Sequence, residues 1–309
     1  MNEEQIKEKY AGTINSLMNY MHIGIISRTF MMQNHCENLA DIIKKNNTNE
    51  KSKSEEISEL LIYKELFERL CLVIEDFSII FNALSLELSD FHKNILHQPN
   101  VEKILQKIDK ASIYKVLKYD DISYMANEDK EVIECYRNKN IKMILEINNY
   151  MQEFIKYNWL IYTKLKHGNT VIYNYEKINL DNIPTYILPV MYNTKKPQEV
   201  RALVLNYPIY KKMLMLFNSI LILTESFCET NYEYICNCEL ENILGSVYVD
   251  SFSKNEYLKV KEILKKYPKK SNHYDINLCL KWDADINKIK DIINMYKKIK
   301  VVIDLNREF

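Results

Sequence analysis

Apolar side chains recur along this chain at two different spacings. From Asn2 to about Lys45, Ile14, Leu17, Met18, Met21, Ile25, Ile26 and Phe30 fall at helical intervals with no proline, which predicts one helix, bent near Gly24. The polar stretch 46–56 reads as a loop. A second helix follows, in which Ile57, Leu60, Leu61, Phe67, Leu70, Cys71, Ile74, Phe77, Phe81, Leu84, Leu88 and Phe91 keep steps of three and four. It is expected to end before Pro99. Shorter helices are predicted around 101–118 and 128–137, and a long one from about Ile141 to Lys166.

At Gly168 the pattern shifts to β-branched and aromatic runs separated by Asn, Asp, Pro and Lys clusters, which predicts two or three short antiparallel strands. Helical spacing resumes after Pro208 through Met213, Leu216, Phe217, Ile220, Leu223 and Phe227, with a continuation toward Leu244. From Gly245 strand-like and helix-like stretches alternate, as in a small α/β module. The chain therefore divides into a helical bundle over 1–168, a β insertion over 169–206 and a C-terminal helical or small α/β region over 207–309.

Composition narrows the chemistry. The 309 residues carry 42 basic and 42 acidic side chains, so no global charge draws the chain to nucleic acid or an anionic membrane. Only four glycines occur, too few and too scattered for a phosphate-cradling loop. Seven scattered cysteines, with no disulfide-framework spacing, fit a reducing cytoplasm. The acidic N-terminus lacks the apolar core of a signal peptide. The longest apolar run, Met213 to Thr224, is too short to span a bilayer. No membrane association and no cofactor are expected.

Signatures of metalloproteases, serine hydrolases and paired-cysteine metal sites are missing, and His92 and His97 lie about 140° apart on a helix, poorly placed to share a metal. No metal ligands are assigned. Lysine outnumbers arginine, which occurs only at positions 28, 69, 137, 201 and 307, and the lysines thicken locally into Lys259, Lys261, Lys265, Lys266, Lys269 and Lys270. Of these, Lys265, Lys266, Lys269 and Lys270 are the candidate contacts to a phosphate backbone. A solvated helix face accounts for the same lysines.

The chemically densest segment is Tyr162-Thr163-Lys164-Leu165-Lys166-His167-Gly168, at the end of the long helix. At about 100° per residue, Lys156, Leu160, Thr163, Lys164 and His167 share one face. That face offers an imidazole for proton transfer, a hydroxyl, and two ammonium groups to stabilise a phosphorane. The other reading of His167 and Gly168 is a helix end, with a cationic His and a Gly complementing the dipole.

The segment resembles the Y-N-K-L-K-H-G signature of members of the HEPN superfamily, and the resemblance covers roughly residues 5–170. It implies a bundle of four or five helices, a homodimer, and an RNA-directed or defence role, as a metal-independent endoribonuclease or as a non-catalytic module binding RNA, a nucleotide or a protein. The family's active form carries an Arg four to six residues before the His; here Tyr162 and Thr163 occupy those places. Arg28 and His35 repeat the R-x6-H spacing in the first helix and are read as incidental. The expected architecture is thus mainly α, a HEPN-like bundle with a short antiparallel β insertion and a C-terminal α or α/β region. A helical interaction protein unrelated to that family is the remaining alternative.

Overall fold

The computed structural model describes residues 3–46, 51–97, 100–117, 125–166, 175–191 and 200–236, together with positions 259, 262, 263 and 266. Within them the chain is mainly helical, with one three-stranded antiparallel sheet inserted between two long helices. The C-terminal α/β alternation read from Gly245 lies outside the described residues apart from those four positions.

The first helical stretch is α1 (Glu3–Asn19) and α2 (Ile26–Asn46), joined by one π-helical turn, Tyr20–Ile25, where a bend near Gly24 was expected. Helix α3 (Lys53–Ser85) opens on a capping box. Ser52 N–H donates to Glu55 Oε2 at 2.9 Å, and Glu55 N–H donates to Ser52 Oγ at 3.4 Å. One side of α3 is buried from Leu60, Tyr63 and Leu66 through Phe77, Ile80 and Phe81, and beyond Glu65 its other side is half-buried, as in a central helix rather than a surface one.

Helix α3 stops earlier than its apolar spacing predicted. Leu86 turns extended (φ −90°, ψ −150°), and a short 3₁₀ turn, Leu88–Asp90, leads into α4 (Phe91–Asn94). Leu88 and Phe91 are still buried, so the periodicity continued while the helix did not. The reversal is held by α1, whose buried Thr13 donates to Leu88 O at 3.0 Å and Ser89 O at 3.2 Å.

Two short helices, α5 (Val101–Leu105) and α6 (Lys110–Leu117), precede α7 (Asn127–Lys166), a single helix of 40 residues. The two helices expected over 128–137 and 141–166 are therefore one. Asn138 and Asn140, between the two expected spans, have low helix propensity, but Ile133, Tyr136, Ile141 and Ile144 form one buried stripe across them, and packing outweighs propensity. Asn148 and Gln152 of α7 both donate to Leu105 O at 3.0 Å, satisfying a carbonyl at the end of α5.

The sheet comprises β1 (Glu176–Leu180), β2 (Ile183–Met191) and β3 (Val200–Asn206), in that order. Asp181 and Asn182 join β1 to β2 with φ of 50° and 63°, the two-residue turn whose twist matches paired strands. The central strand contains two prolines. Pro184 lies beyond the end of the β2–β3 pairing at Thr185↔Asn206, and Pro189 beyond the end of the β1–β2 pairing at Glu176↔Ile187. Antiparallel hydrogen bonding alternates sides, so each missing N–H falls where β2 has no neighbour.

Asn206 ends β3 and caps the next helix, accepting from Ile209 N–H at 2.9 Å. Helix α8 (Tyr207–Cys236) then runs against α3, with Phe227 6.0 Å from Phe77 and 5.7 Å from Phe81 between ring centroids. Its Asn231 donates to Val116 O at 2.9 Å, closing the end of α6. By length and hydropathy Tyr207–Tyr232 would suffice to cross a bilayer, but 67% of that window is buried inside the protein. It is the second core helix.

Gly12 of α1 lies against the imidazole of His92 on α4, and a Cβ there would come within 2.8 Å of His92 Cγ. In an exposed helix Gly→Ala gains about 1 kcal/mol. Here Gly12→Ala should instead lower stability by about 1–3 kcal/mol through overpacking. Urea unfolding should show the loss, and in a His92→Ala background the same change should become neutral or stabilising.

Candidate functional site

The last turns of α7 carry the segment singled out in the sequence. Residues 155, 161 and 162 point into the core, while Lys156 is exposed and Leu160, Thr163 and Lys164 are half-buried. Lys156 Nζ sits 5.4 Å from the centroid of Tyr157, and Thr163 Oγ1 donates back to Leu160 O at 2.9 Å. Lys164 has no ion-pair partner among the described residues. His167, next in the chain, lies outside the described residues.

Tyr162, which stands where the family signature would place its arginine, is 3% exposed and donates to Glu75 Oε2 at 3.3 Å. Lys166 donates to both oxygens of the same carboxylate, at 3.2 and 2.9 Å, and lies 5.6 Å from the Tyr162 ring centroid. Trp159 packs on Tyr162 with centroids 5.2 Å apart. Burial, followed by the Glu75 charge, makes the Tyr162 phenol much harder to ionise.

Asp76, adjacent to Glu75 on α3, receives the guanidinium of Arg28 through Nη2. Arg28 is the arginine of the first helix that the sequence left as incidental. Its Nη1 donates to Gly24 O at 2.9 Å, and its Cζ lies 5.4 Å from the centroid of Tyr20. The π-helical turn and Gly24 make this path possible, since a Cβ at 24 would sit 3.1 Å from Arg28 Nη1 and 3.2 Å from Tyr20 Cδ2. Burial raises the proton affinity of Asp76, and Arg28 opposes that rise.

Arg28, Asp76, Glu75, Tyr162 and Lys166 thus form one half-buried cluster of two cations, two carboxylates and a phenol. Side-chain exposures of 19% for Arg28, 24% for Asp76, 17% for Glu75 and 40% for Lys166 place its open side at the lysine. The sequence reading missed the acids. The available signal was Glu75-Asp76 standing as the only charges in the otherwise apolar run from Leu70 to Leu84.

The other arm of the R-x6-H spacing goes elsewhere. His35 is 4% exposed and meets Tyr210 of α8, with Nδ1 3.2 Å from the phenol oxygen. Tyr210 donates its single proton to His35 O at 2.9 Å, so Nδ1–H donates to the phenol oxygen. Arg28 and His35 therefore serve separate neighbourhoods, and His35 is a packing residue. A second buried carboxylate, Glu59, accepts from Tyr63 and Tyr186 at 2.7 Å each and from Lys51 at 2.5 Å, which ties β2 to α3.

Of the candidate phosphate-contacting lysines, Lys266 lies 3.5 Å from Asp129 in the first turn of α7, which offsets part of its charge. Lys265, Lys269 and Lys270 lie outside the described residues. Comparison of the chain with protein-family models, with curated proteins and with solved structures gives no match.

Burial lowers the pKa of His35 below 6.5. A group whose folded pKa is depressed in this way takes up its proton more readily in the unfolded chain, so the folded state loses stability as pH falls through about 6.5. His35→Gln should remove that loss, flattening the fall in unfolding free energy toward about pH 5 by at most about 1.4 kcal/mol per pH unit. Urea unfolding at several pH values checks it; parallel curves for the two proteins would count against a buried neutral imidazole.

Proposed function

We propose that the protein acts on RNA as a HEPN-like, metal-independent endoribonuclease, with its reacting groups at the C-terminal end of α7. The observation that carries this reading is the arrival of Arg28 in the same ionic cluster as Lys166. The motif itself has no arginine, and the cluster supplies one from α2.

In the proposed reaction His167 takes the proton of a ribose 2′-OH as the 2′-oxygen forms its bond to phosphorus. The bond from phosphorus to the 5′-oxygen breaks, and His167 passes the proton it has taken to that oxygen as it leaves. The products are a 2′,3′-cyclic phosphate and a free 5′-OH. Arg28 and Lys166 are the charges that offset the phosphorane, with Arg28 offering the planar fork that a lysine lacks. Lys156, which is exposed, and Lys164, which is half-buried, neutralise neighbouring phosphates.

A non-catalytic RNA-binding or protein-binding module is the second reading, and one observation favours it. Both cations are already paired, Arg28 with Asp76 and Lys166 with Glu75. Paired charges of this kind also serve architecture alone.

Cleavage of an RNA pool in EDTA separates the two. The endoribonuclease reading expects activity in the wild type, its abolition in His167→Ala, and a loss of about 10²–10³ in rate for Arg28→Lys with the melting temperature little changed. RNA binding with no cleavage by the wild type would favour an RNA-binding module, and neither binding nor cleavage would remove both RNA-directed readings and leave the protein-binding one.

A further inference from the structure

The cluster contains a feature that a simple ion pair does not need. The guanidinium of Arg28 is fixed from behind, by Gly24 O on Nη1 and by the face of Tyr20, and only Nη2 reaches Asp76. The carboxylate engages one nitrogen, so the two-pronged geometry that Arg offers to a phosphate or carboxylate is not used. Among the described residues, two of its five N–H donors are occupied. The pair is also not sealed, with Asp76 24% exposed.

We infer that Asp76 is a built-in competitor for an oxyanion site on Arg28, so that a phosphodiester binds there by displacing the carboxylate. This rests on the proposed RNA-acting role for the identity of the anion. Each element around the site contributes: Tyr20 and Arg28 from the N-terminal helices, Glu75 and Asp76 from α3, Tyr162 and Lys166 from α7, and Glu225 and Cys228 of α8 near Tyr20. With Glu75 holding Lys166 and Asp76 holding Arg28, these four side chains carry no net charge among themselves. Removal of the Asp76 charge leaves the Arg28 guanidinium without its ion-pair partner, still positioned by Gly24 O and the Tyr20 ring.

A site closed for nine-tenths of the time weakens the apparent affinity of its ligand about tenfold. Calorimetric titration of the full chain with inorganic phosphate, and with a 2′-O-methyl hexauridylate that has no 2′-OH to react, tests the competition. Asp76→Asn should bind both probes at least about tenfold tighter than the wild type. Arg28→Lys in the Asp76→Asn background should remove most of that gain, because the fork is lost. Glu146→Gln, an equal change in net charge on the exposed face of α7, should give none. Asp76→Ser provides a second neutral variant should Asp76→Asn melt too low to titrate.

Equal affinity in the wild type and both neutral variants, or an equal gain from Glu146→Gln, would overturn the competitor role. Tighter phosphate binding by Asp76→Asn with no RNA cleavage by any variant would uphold the anion site and remove the endoribonuclease reading. RNA cleavage by the wild type without the phosphate gain would remove the competitor role alone.

Discussion

A central helix cannot bury acids without partners for them, and of the seven acids on α3 four are held by donors from beyond the helix and its cap. Its apolar residues pack on α8 through Phe77, Phe81 and Phe227, while Glu56, Glu59, Glu75 and Asp76 each require a donor from elsewhere. The donors come from different parts of the chain. Lys177 of β1 meets Glu56, Lys51 and Tyr186 of β2 meet Glu59, Lys166 and Tyr162 of α7 meet Glu75, and Arg28 of α2 meets Asp76. Deleting one member of the buried Lys51–Glu59 pair would cost about 3–5 kcal/mol, and the part-exposed pairs contribute less. These contacts therefore set where the sheet, α2 and the end of α7 lie against the central helix.

The four acids do not have equal surroundings, and the difference separates architecture from chemistry. Glu59 is 5% exposed, and two of its three donors are phenols, so it is saturated and closed. Glu75 and Asp76 hold an ammonium and a guanidinium in a half-buried cluster whose open side is at Lys166. Buried ion pairs are seldom retained for stability alone, because well-packed apolar residues serve as well. A surface-opening pair beside a π-helical turn, built from a glycine that leaves room for the arginine, fits a binding role better than a purely structural one.

Much of this architecture was legible in the residues. The helical stretch through Gly24, the long apolar helix carrying Phe77 and Phe81, and an antiparallel sheet of two or three strands all follow from local spacing and turn chemistry. The end of α3 and the continuity of α7 were not legible, because both are decided by contacts distant in sequence. Thr13 holds the reversal at Leu88, and a buried stripe carries α7 through Asn138-Lys139-Asn140. The candidate site was half legible for the same reason. Tyr162, Lys164 and Lys166 sit in one short motif, whereas Arg28 reaches Asp76 across 48 residues and Lys166 reaches Glu75 across 91. No spacing rule joins positions so far apart, although two adjacent acids in an apolar helix announce that partners must exist.

In the proposed reaction Arg28 and the end of α7 assist attack by a ribose hydroxyl. The most direct measurement is the chemistry of the RNA ends produced by the wild-type protein in EDTA. Attack by the 2′-oxygen leaves a 2′,3′-cyclic phosphate on one fragment and a free 5′-OH on the other, and a single 2′-deoxy substitution at the scissile nucleotide should block the cut. Fragments bearing 5′-phosphates, cleavage that persists through the 2′-deoxy position, or no cleavage at all would contradict it.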